Sequence, residues 1–284
     1  MLSSSCSILT RENVQILEVN NAFATAQIAL FGGHMLSFKP KHDLRERLWL
    51  SKAAKFDGVQ AIRGGVPVCW PWFGEHITKQ QDPNNKDFPS HGYVRTQIWK
   101  IEHTVEQEKG TEIVLSPTTS QGIGFDGEAQ LQLIINIGEK CSMQLVTSNI
   151  GTDSFTYRCA LHSYFNINNI KHIRLHGLSG TYLDKTRGMQ SFETPSSYLF
   201  SAETDRVHLC QPHNVNIEYD NIVTNIYSQG HDSLVVWNPW QEKSITMQDM
   251  EDDSYLTMVC VETAVTQGQV VMPNERHVLT QVIA

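Results

Sequence analysis

The chain has 284 residues, of which 40% are hydrophobic and 18% are charged, and its formal net charge is −8 at pH 7. This composition is ordinary for a globular protein, and the negative charge argues against a general nucleic-acid surface, which would be basic. The length fits one large β sandwich or barrel, so we expect residues 1–284 to form a single domain.

The six cysteines are dispersed along the chain and include no CxxC pair. This spacing predicts reduced, mostly buried thiols, because a disulfide framework is unusual at this length and a zinc site needs closer ligands. The sequence shows no secretory signal and no apolar run long enough to cross a membrane. We therefore expect a cytoplasmic protein that binds neither membranes nor nucleic acid.

The predicted elements are mostly strands, because apolar residues alternate with polar ones or run together over strand lengths. The best helical candidate is residues 240–250, and residues 75–90 and 177–201 are predicted to be irregular loops beside a pocket. Many strands and few helices predict a large antiparallel sandwich or barrel-like fold. The predicted strands include residues 26–30, 130–135, 142–146, 233–237, 255–261 and 277–282.

Residues 62–74, IRGGVPVCWPWFG, combine three glycines, two prolines and three large aromatic side chains with the single cation of Arg63. Glycine lets a backbone approach a ligand closely, and aromatic faces suit the apolar faces of a sugar ring. A tight, aromatic-filled turn at a corner of a sandwich explains the same composition equally well. The segment alone leaves both interpretations open.

Residues 91–95, HGYVR, follow the first polar loop and place His91 and Arg95 four positions apart. The guanidinium of an arginine matches phosphate or carboxylate oxygens in a two-point contact, so both side chains could face a cleft. An exposed strand start is the favoured interpretation of this segment when it is considered alone.

Asp205 lies in the short charged segment ETDRV at residues 203–207. Its carboxylate could accept hydrogen bonds from sugar hydroxyls. It could equally pair with Arg206 or Arg187, so the segment by itself is weak evidence for a site.

His162 lies in an apolar and aromatic strand, ALHSYFN at residues 160–166, where the period of two places Tyr164 on the same face. The pKa range of histidine makes it a natural proton donor at neutral pH. A lone histidine in such surroundings is more often a hydrogen-bonded core residue than a catalyst, so this segment alone does not decide the matter.

Glu262 is a carboxylate in the middle of an apolar strand, VCVETAV at residues 259–265, and no Lys or Arg occurs between Lys243 and Arg276. Burying an unpaired carboxylate is costly, so the side chain must face solvent, find a distant partner or line a cleft. In a cleft, partial desolvation raises its pKa toward the range useful for a general base. An exposed edge strand is the alternative, but the apolar neighbours favour the cleft.

Familiar cofactor signatures are absent or fail their structural context. Residues 122–127 match GxGxxG, but strand-like residues follow them where a dinucleotide site needs a helix. The sequence contains no P-loop, GxSxG or HExxH motif, and its twelve histidines show no paired ligand spacing on one element. We therefore expect neither a cofactor nor a metal.

Taken together and in order, these segments resemble the hexose-6-phosphate mutarotases, also called glucose-6-phosphate 1-epimerases, a branch of the aldose 1-epimerase family. The matching segments span residues 63 to 264, most of the chain. Each is modest alone, but six in the right order make chance a poor explanation. They are RGGVP with WPWFG, then HGYVR, LHSYF, TDR, WNPW and VETA.

The resemblance implies an all-β fold, the galactose-mutarotase-like antiparallel β supersandwich, with a cleft on one sheet. It also implies roles within that cleft. Glu262 matches the general base and His162 the general acid. His91 and Asp205 match positions that bind the sugar.

The resemblance further implies a small-molecule phosphosugar as the partner of this chain, and we expect the protein to be a monomer. Arg63 and Arg95 match the basic positions that hold the phosphate. The family uses one more Lys or Arg near the loop before the HGYVR segment, and Lys86 is the nearest candidate here.

One carboxylate and one imidazole on opposite sides of the C1–O5 bond suffice for anomer exchange, without a redox cofactor or metal. Two alternatives share the fold. The first is an aldose 1-epimerase that acts on free sugars such as galactose. The second is a non-catalytic carbohydrate-binding sandwich that uses Trp70, Trp72 and Phe73 as a platform, which leaves Glu262 without an explanation.

Overall fold

A computed structural model describes residues 2–78, 88–220 and 222–284, and its regular structure is mostly antiparallel β-strand. The strands follow from the period-two alternation of the sequence. In the strand Ala129–Ile137, every second side chain is buried, and the intervening ones are exposed or half-buried. Each leucine or isoleucine buried in this way contributes about 1.5–3 kcal/mol to folding.

The strands form three sheets. A four-stranded meander comprises β1 (Cys6–Arg11), β2 (Val14–Asn20), β3 (Ala24–Ala29) and β4 (His34–Pro40). One eight-stranded sheet runs in the order β12-β16-β17-β20-β9-β8-β7-β6. Its strands are β6 (Trp99–Gln107), β7 (Gly110–Pro117), β8 (Ala129–Ile137), β9 (Cys141–Asn149), β12 (Arg174–His176), β16 (Asn214–Tyr219), β17 (Ile222–Gln229) and β20 (Arg276–Ile283).

The other eight-stranded sheet is called the site sheet below, and its main path is β14-β13-β15-β18-β19-β10-β5, with β11 also paired to β19. Its strands are β5 (Val68–Cys69), β10 (Phe155–Leu161), β11 (Tyr164–Asn166), β13 (Thr181–Asp184), β14 (Gln190–Glu193), β15 (Thr204–His208), β18 (Ser233–Asn238) and β19 (Met258–Val271). The helical elements are α1 (Trp240–Thr246) and the short 3-10 turns Val94–Thr96, Lys185–Arg187 and Ser254–Leu256.

One hydrophobic core takes side chains from all three sheets. Leu17 on β2, Leu133 on β8 and Val259 on β19 are fully buried members of that single cluster. The predicted all-β architecture is confirmed, and the neighbouring strands of every sheet pair antiparallel. The sheets therefore share one interior, which fixes the site sheet against the rest of the molecule.

Three expectations about elements were inaccurate. The strand predicted over residues 255–261 begins at Met258, because Ser254–Leu256 form a 3-10 turn. The helix predicted over residues 240–250 ends at Thr246, because the following residues turn towards the strand β19. Residues 177–201, predicted to be an irregular loop, contain the hairpin of β13 and β14, which pairs with β15 and extends the site sheet. The hairpin was missed because its short strands are largely polar and only two of the eight strand residues are fully buried.

The cysteines match the prediction, since all six are unpaired thiols and four of them are buried. Among residues 2–78, 88–220 and 222–284, no helix is long and apolar enough to cross a membrane.

Candidate active site

Strand β19 presents two different faces. Val259 and Val261 belong to the main core, so the period of two turns Cys260 and Glu262 to the opposite face of the site sheet. Glu262 stands there opposite Val235 of β18, beside an apolar cluster that includes Val235 and Ala264. Apolar side chains therefore surround the base of its carboxylate, as the flanking residues predicted.

His162 occupies the break between β10 and β11. Both strands pair with β19, β10 at Thr263 and β11 at Cys260, and Glu262 lies between these two positions. The backbone N–H of His162 donates to the carbonyl of Pro67 at 3.0 Å, which anchors the break. The register of three strands thus brings an imidazole to a carboxylate one hundred residues away in sequence.

A cavity of about 210 Å³ contains this pair and most of the other predicted site residues. Its lining comprises Arg63, Phe73, His91, His162, Tyr164, Lys185, Asp205, Trp237, Lys243 and Glu262. An adjoining cavity of about 350 Å³ shares Arg63, His91, His162 and Tyr164 and adds Arg95. The structure therefore brings together Arg63, His91, Arg95, Asp205, His162 and Glu262, whereas Lys86 lies outside the described residues.

The distance between His162 Nε2 and Glu262 Oε1 is 3.4 Å. The Glu262 side chain is 1% exposed and that of His162 is 12% exposed, so the pair is almost inaccessible to solvent. Among the residues that the structure describes, His162 Nδ1 and Glu262 Oε2 have no hydrogen-bond partner. Buried polar atoms normally have partners, so these two atoms are candidates for contact with a ligand.

Burial moves the two pKa values in opposite directions. Desolvation raises the pKa of Glu262 well above its ordinary value of 4.5; the Lys185 ammonium opposes this shift and Asp205 adds to it. Desolvation, helped by the neighbouring His91 and Arg63, lowers the pKa of His162 well below 6.5. Both shifts favour the neutral forms, so the pair as a whole can hold one proton over a wide pH range.

Tyr164 and Trp237 hold the ring of His162. The Tyr164 ring stacks on it with centroids 5.0 Å apart and planes at 13°, as expected for two side chains on one face. The Trp237 ring meets it edge-on at 6.3 Å. The Tyr164 hydroxyl in turn accepts a hydrogen bond from Arg63 Nη1 at 2.9 Å. The imidazole plane is thus fixed by packing.

His91 has a left-handed backbone with φ of 62°, and its ring lies edge-on to that of His162 at 5.5 Å. Its Nδ1 accepts a hydrogen bond from the backbone N–H of Gly74 at 3.2 Å. Burial lowers the pKa of His91 well below 6.5. The neutral ring must then carry its proton on Nε2, which makes that atom a donor for a ligand oxygen.

The two predicted phosphate-binding arginines differ in how they are held. Arg63 forms an ion pair with Asp249 at 3.0 Å, and its side chain is 25% exposed. Arg95 Nη2 donates to the backbone carbonyl of Ser90 at 2.7 Å. Arg63 therefore shares its charge with a carboxylate, whereas Arg95 is held by a backbone carbonyl.

Asp205 pairs with neither Arg206 nor Arg187, the two partners considered from the sequence. Its Oδ1 lies 3.1 Å from the ammonium of Lys185. Lys185 sits in the turn of the β13–β14 hairpin, and its Nζ lies 5.1 Å from the centroid of the Phe73 ring. Sequence reasoning missed this lysine because no motif marks it and its hairpin was predicted to be a loop.

The aromatic segment at residues 62–74 is mainly structural. Trp70 is fully buried and its indole N–H donates to Thr147, so it cannot contact a sugar. A Cβ at Gly65 would lie 2.2 Å from the carbonyl oxygen of Met35, which shows that the glycine permits contact between backbones. Phe73 lines the cavity of the His162–Glu262 pair, whereas the described lining includes neither Trp70 nor Trp72, which favours the structural interpretation of this segment.

Residues 124–127 of the GxGxxG match at residues 122–127 line a separate cavity of about 500 Å³. Strand β8 follows it, as predicted, and no helix begins there. A third cavity, of about 800 Å³, shares Phe73, Lys185, Asp205 and Lys243 with the cavity of the His162–Glu262 pair and includes the exposed Arg158.

Cys260 adds a third possible metal-ligand atom to those of His162 and Glu262. One donor atom each from His162, Cys260 and Glu262 lies within 4.8 Å of the other two. Sequence spacing did not predict this group, because His162 comes from a different part of the chain and reaches it only through sheet register.

Comparison with known sequences places this geometry in a family. The sequence model described as "Aldose 1-epimerase" matches residues 15–284. A protein of Escherichia coli K12 named "Putative glucose-6-phosphate 1-epimerase" is 34% identical over 259 residues, which cover 89% of this chain and 84% of that protein.

Solved structures show the same architecture. A crystal structure of a "putative mutarotase" from Salmonella typhimurium superposes with a TM-score of 0.90 at 30% identity and covers 100% of this chain and 94% of its own. A "galactose mutarotase related enzyme" from Lactobacillus acidophilus has a TM-score of 0.71 at 11% identity and covers 95% and 96% of the two chains. The second likeness shows the fold alone, which is the predicted galactose-mutarotase-like one.

Proposed function

The chain belongs to the aldose 1-epimerase family, and we propose that it interconverts the α and β anomers of a hexose 6-phosphate, with glucose 6-phosphate as the favoured substrate. The observation that carries this proposal is the buried contact of 3.4 Å between His162 and Glu262. The curated relative from Escherichia coli, whose printed name includes glucose 6-phosphate, supports the choice of substrate.

The proposed reaction needs one acid and one base at the same carbon. The step starts from the form of the pair in which its one proton is on His162 and Glu262 is ionised. Glu262 then removes the proton of the C1 hydroxyl while His162 gives its proton to the ring oxygen O5, so the C1–O5 bond breaks and a C1 carbonyl forms. After rotation about C1–C2 the steps reverse, and each group recovers its original proton state. O1 and O5 are both bonded to C1, which explains how two side chains in contact can serve both oxygens.

The neighbouring groups have supporting roles in this proposal. His91, with its proton on Nε2, donates a hydrogen bond to a sugar oxygen near the reacting centre. Asp205, held by Lys185, accepts hydrogen bonds from sugar hydroxyls. Such contacts orient the sugar and contribute to rate through positioning.

The phosphate is assigned to the cavity that Arg63 and Arg95 share beside the catalytic pair. Two guanidinium groups there match the oxygens of a phosphate, and Arg95 is held in place by the backbone carbonyl of Ser90. Because the phosphate is remote from C1, its binding orients the sugar and selects against free hexoses.

Replacement of Arg95 by alanine tests this assignment. We expect Arg95→Ala to raise KM for glucose 6-phosphate by about 10- to 100-fold, the loss of a charge-assisted contact, and to change turnover of free galactose little. NMR exchange between anomers measures both substrates directly.

Arg158→Ala is the matched control, since Arg158 is an exposed arginine of the third cavity. It should leave KM for glucose 6-phosphate near the wild-type value. Equal losses for both sugars in Arg95→Ala, or a larger loss in Arg158→Ala, would contradict the placement of the phosphate.

We also propose that the protein acts as a monomer in the cytoplasm. One chain supplies all the described lining of the cavity around the catalytic pair, and the six unpaired thiols suit a reducing compartment. Sedimentation of the active species as a dimer, or loss of activity under reducing conditions, would contradict these two points.

A further inference from the structure

We propose that His162, Cys260 and Glu262 form a binding site for a divalent cation that prefers sulfur ligands, such as Zn²⁺. Binding of this cation inhibits the epimerase reversibly. The inhibition rests on the proposed function of the pair, whereas binding of the cation does not. Nothing in the proposed reaction uses Cys260, so the thiol has no assigned role there.

The geometry of the three donors is close to that of a metal site. The donor atoms lie within 4.8 Å of one another, and His162 Nε2 is 3.4 Å from Glu262 Oε1. A tetrahedral cation with bonds of about 2.0–2.1 Å to nitrogen and oxygen leaves about 3.4 Å between those two ligands. The Cys260 sulfur lies within 4.8 Å of the other two donor atoms, so a small local adjustment would complete the set.

The donors are also available and preorganised. Glu262 is 1% exposed and its Oε2 has no partner among the described residues. Tyr164 and Trp237 fix the imidazole plane of His162. Binding would release two protons to solvent, one from the Cys260 thiol and one held by the His162–Glu262 pair, so that the bound donors are one nitrogen, one oxygen and one thiolate sulfur.

The donor set decides which cations fit. Nitrogen and thiolate sulfur select Zn²⁺, Co²⁺ or Cd²⁺, whereas Mg²⁺ and Ca²⁺ need oxygen ligands. Lys185 and Arg63 line the same cavity, and their positive charges oppose any cation there. With three protein ligands and two opposing charges, the affinity should be lower than that of a four-ligand structural zinc site.

Inhibition follows directly from which atoms the cation would occupy. The base needs a lone pair on Glu262 and the acid needs the proton of His162, and a bound cation removes both. Mg²⁺, which accompanies sugar phosphates in cells, should not have this effect because the sulfur ligand does not suit it.

Cobalt binding tests the site without reference to catalysis. Titration of the wild-type protein with Co²⁺ should produce a thiolate-to-cobalt charge-transfer band in the near ultraviolet. Cys260→Ser should abolish the band, while Cys69→Ser, which removes another fully buried thiol of the site sheet, should keep it. His162→Asn is a second variant that should lose the band, in case Cys260→Ser does not fold.

Activity measurements test the inhibition. Zn²⁺ should slow glucose 6-phosphate anomer exchange by the wild-type protein and EDTA should restore it, with Mg²⁺ at the same concentration as control. In Cys260→Ser, the Zn²⁺ concentration for half-inhibition, relative to the metal-free rate of that variant, should rise by about 10- to 100-fold.

The cobalt titration and the activity measurements distinguish failure of the metal site from failure of the proposed function. A cobalt band that depends on Cys260, in a protein without epimerase activity, would keep the site and reject the proposed function. An active enzyme that shows no cobalt band, or whose band survives both Cys260→Ser and His162→Asn, would overturn the site.

Discussion

At the scale of single residues, burial of Glu262 makes the stability of the protein depend on pH. Its carboxylate is almost fully buried, its nearest described charged or titratable neighbours include His162 and Lys185, and burial raises its pKa well above 4.5. Between 4.5 and the raised value, the folded protein binds a proton that the unfolded chain has lost. Stability therefore falls as pH rises through that interval, the sign opposite to that of an ion-paired carboxylate.

Glu262→Gln should therefore stabilise the protein at alkaline pH. The amide has the same shape and never ionises, so the melting temperature at pH 8 should exceed that of wild type by about 2–4 °C for each kcal/mol recovered. The difference should shrink towards pH 4.5, where the wild-type carboxyl is neutral. Calorimetry at both pH values makes the measurement.

Glu108→Gln, at an exposed glutamate, is the matched control and should change the melting temperature little at either pH. A Glu262→Gln protein that melts below wild type at pH 8 would show that the ionised carboxylate stabilises the fold.

The rate should depend on pH through the pair and not through either residue alone. The doubly protonated pair lacks a base and the fully deprotonated pair lacks an acid, so only the one-proton form is active. The raised pKa of Glu262 predicts that activity is lost on acidification at a pH above the ordinary glutamate range. After subtraction of spontaneous mutarotation, kcat should give a bell-shaped curve. A kcat that stays constant down to pH 4.5 would contradict this assignment.

At the scale of elements, the bend at residues 91–92 positions His91 beside the segment that contains Trp70. Gly92 has φ of 74° and bridges Trp70, and a Cβ there would lie 1.9 Å from the carbonyl oxygen of Trp70. The same bend gives His91 its left-handed backbone. No side chain can be added at Gly92 without moving one of these two backbone segments.

Gly92→Ala should therefore lose both stability and activity. Gly180→Ala is the control, because Gly180 has a similar φ of 69° and nothing within 4 Å of its Cβ position. The control should lose about 1 kcal/mol of unfolding free energy from backbone strain alone, and Gly92→Ala should lose clearly more. Urea denaturation measures both, and equal losses would refute the steric argument.

Sequence pattern predicted the elements that alternate strongly. Strands β8 and β9 were recovered because apolar residues alternate with polar ones along most of their length, and only residues 258–261 of β19 were recovered, from their apolar run. The β13–β14 hairpin was not, because an edge hairpin is stabilised by pairing with β15 more than by burial of its own side chains. Lys185 was missed for the same reason.

At the scale of the whole molecule, sheet register assembles a site from segments that are far apart in sequence. The order of the motifs identified the family resemblance, and that resemblance predicted His162 and Glu262 as site residues. It could not supply the Arg63–Asp249 pair, which joins residues 186 positions apart, or the Arg63–Tyr164 bond across 101 positions. Such contacts depend on how sheets and loops meet, which no local pattern records.

The core shared by three sheets leads us to propose that residues 1–284 unfold as one unit. Two separate transitions in a calorimetric scan would contradict that proposal.

The central claim is that Glu262 and His162 exchange the anomers of a hexose 6-phosphate. Two-dimensional NMR exchange spectroscopy of glucose 6-phosphate gives the α-to-β rate directly, for wild type and for Glu262→Gln of confirmed fold. Removal of the general base should lower kcat by about 10²–10⁴-fold, to a rate close to the spontaneous one. Near-normal exchange by Glu262→Gln would contradict the account.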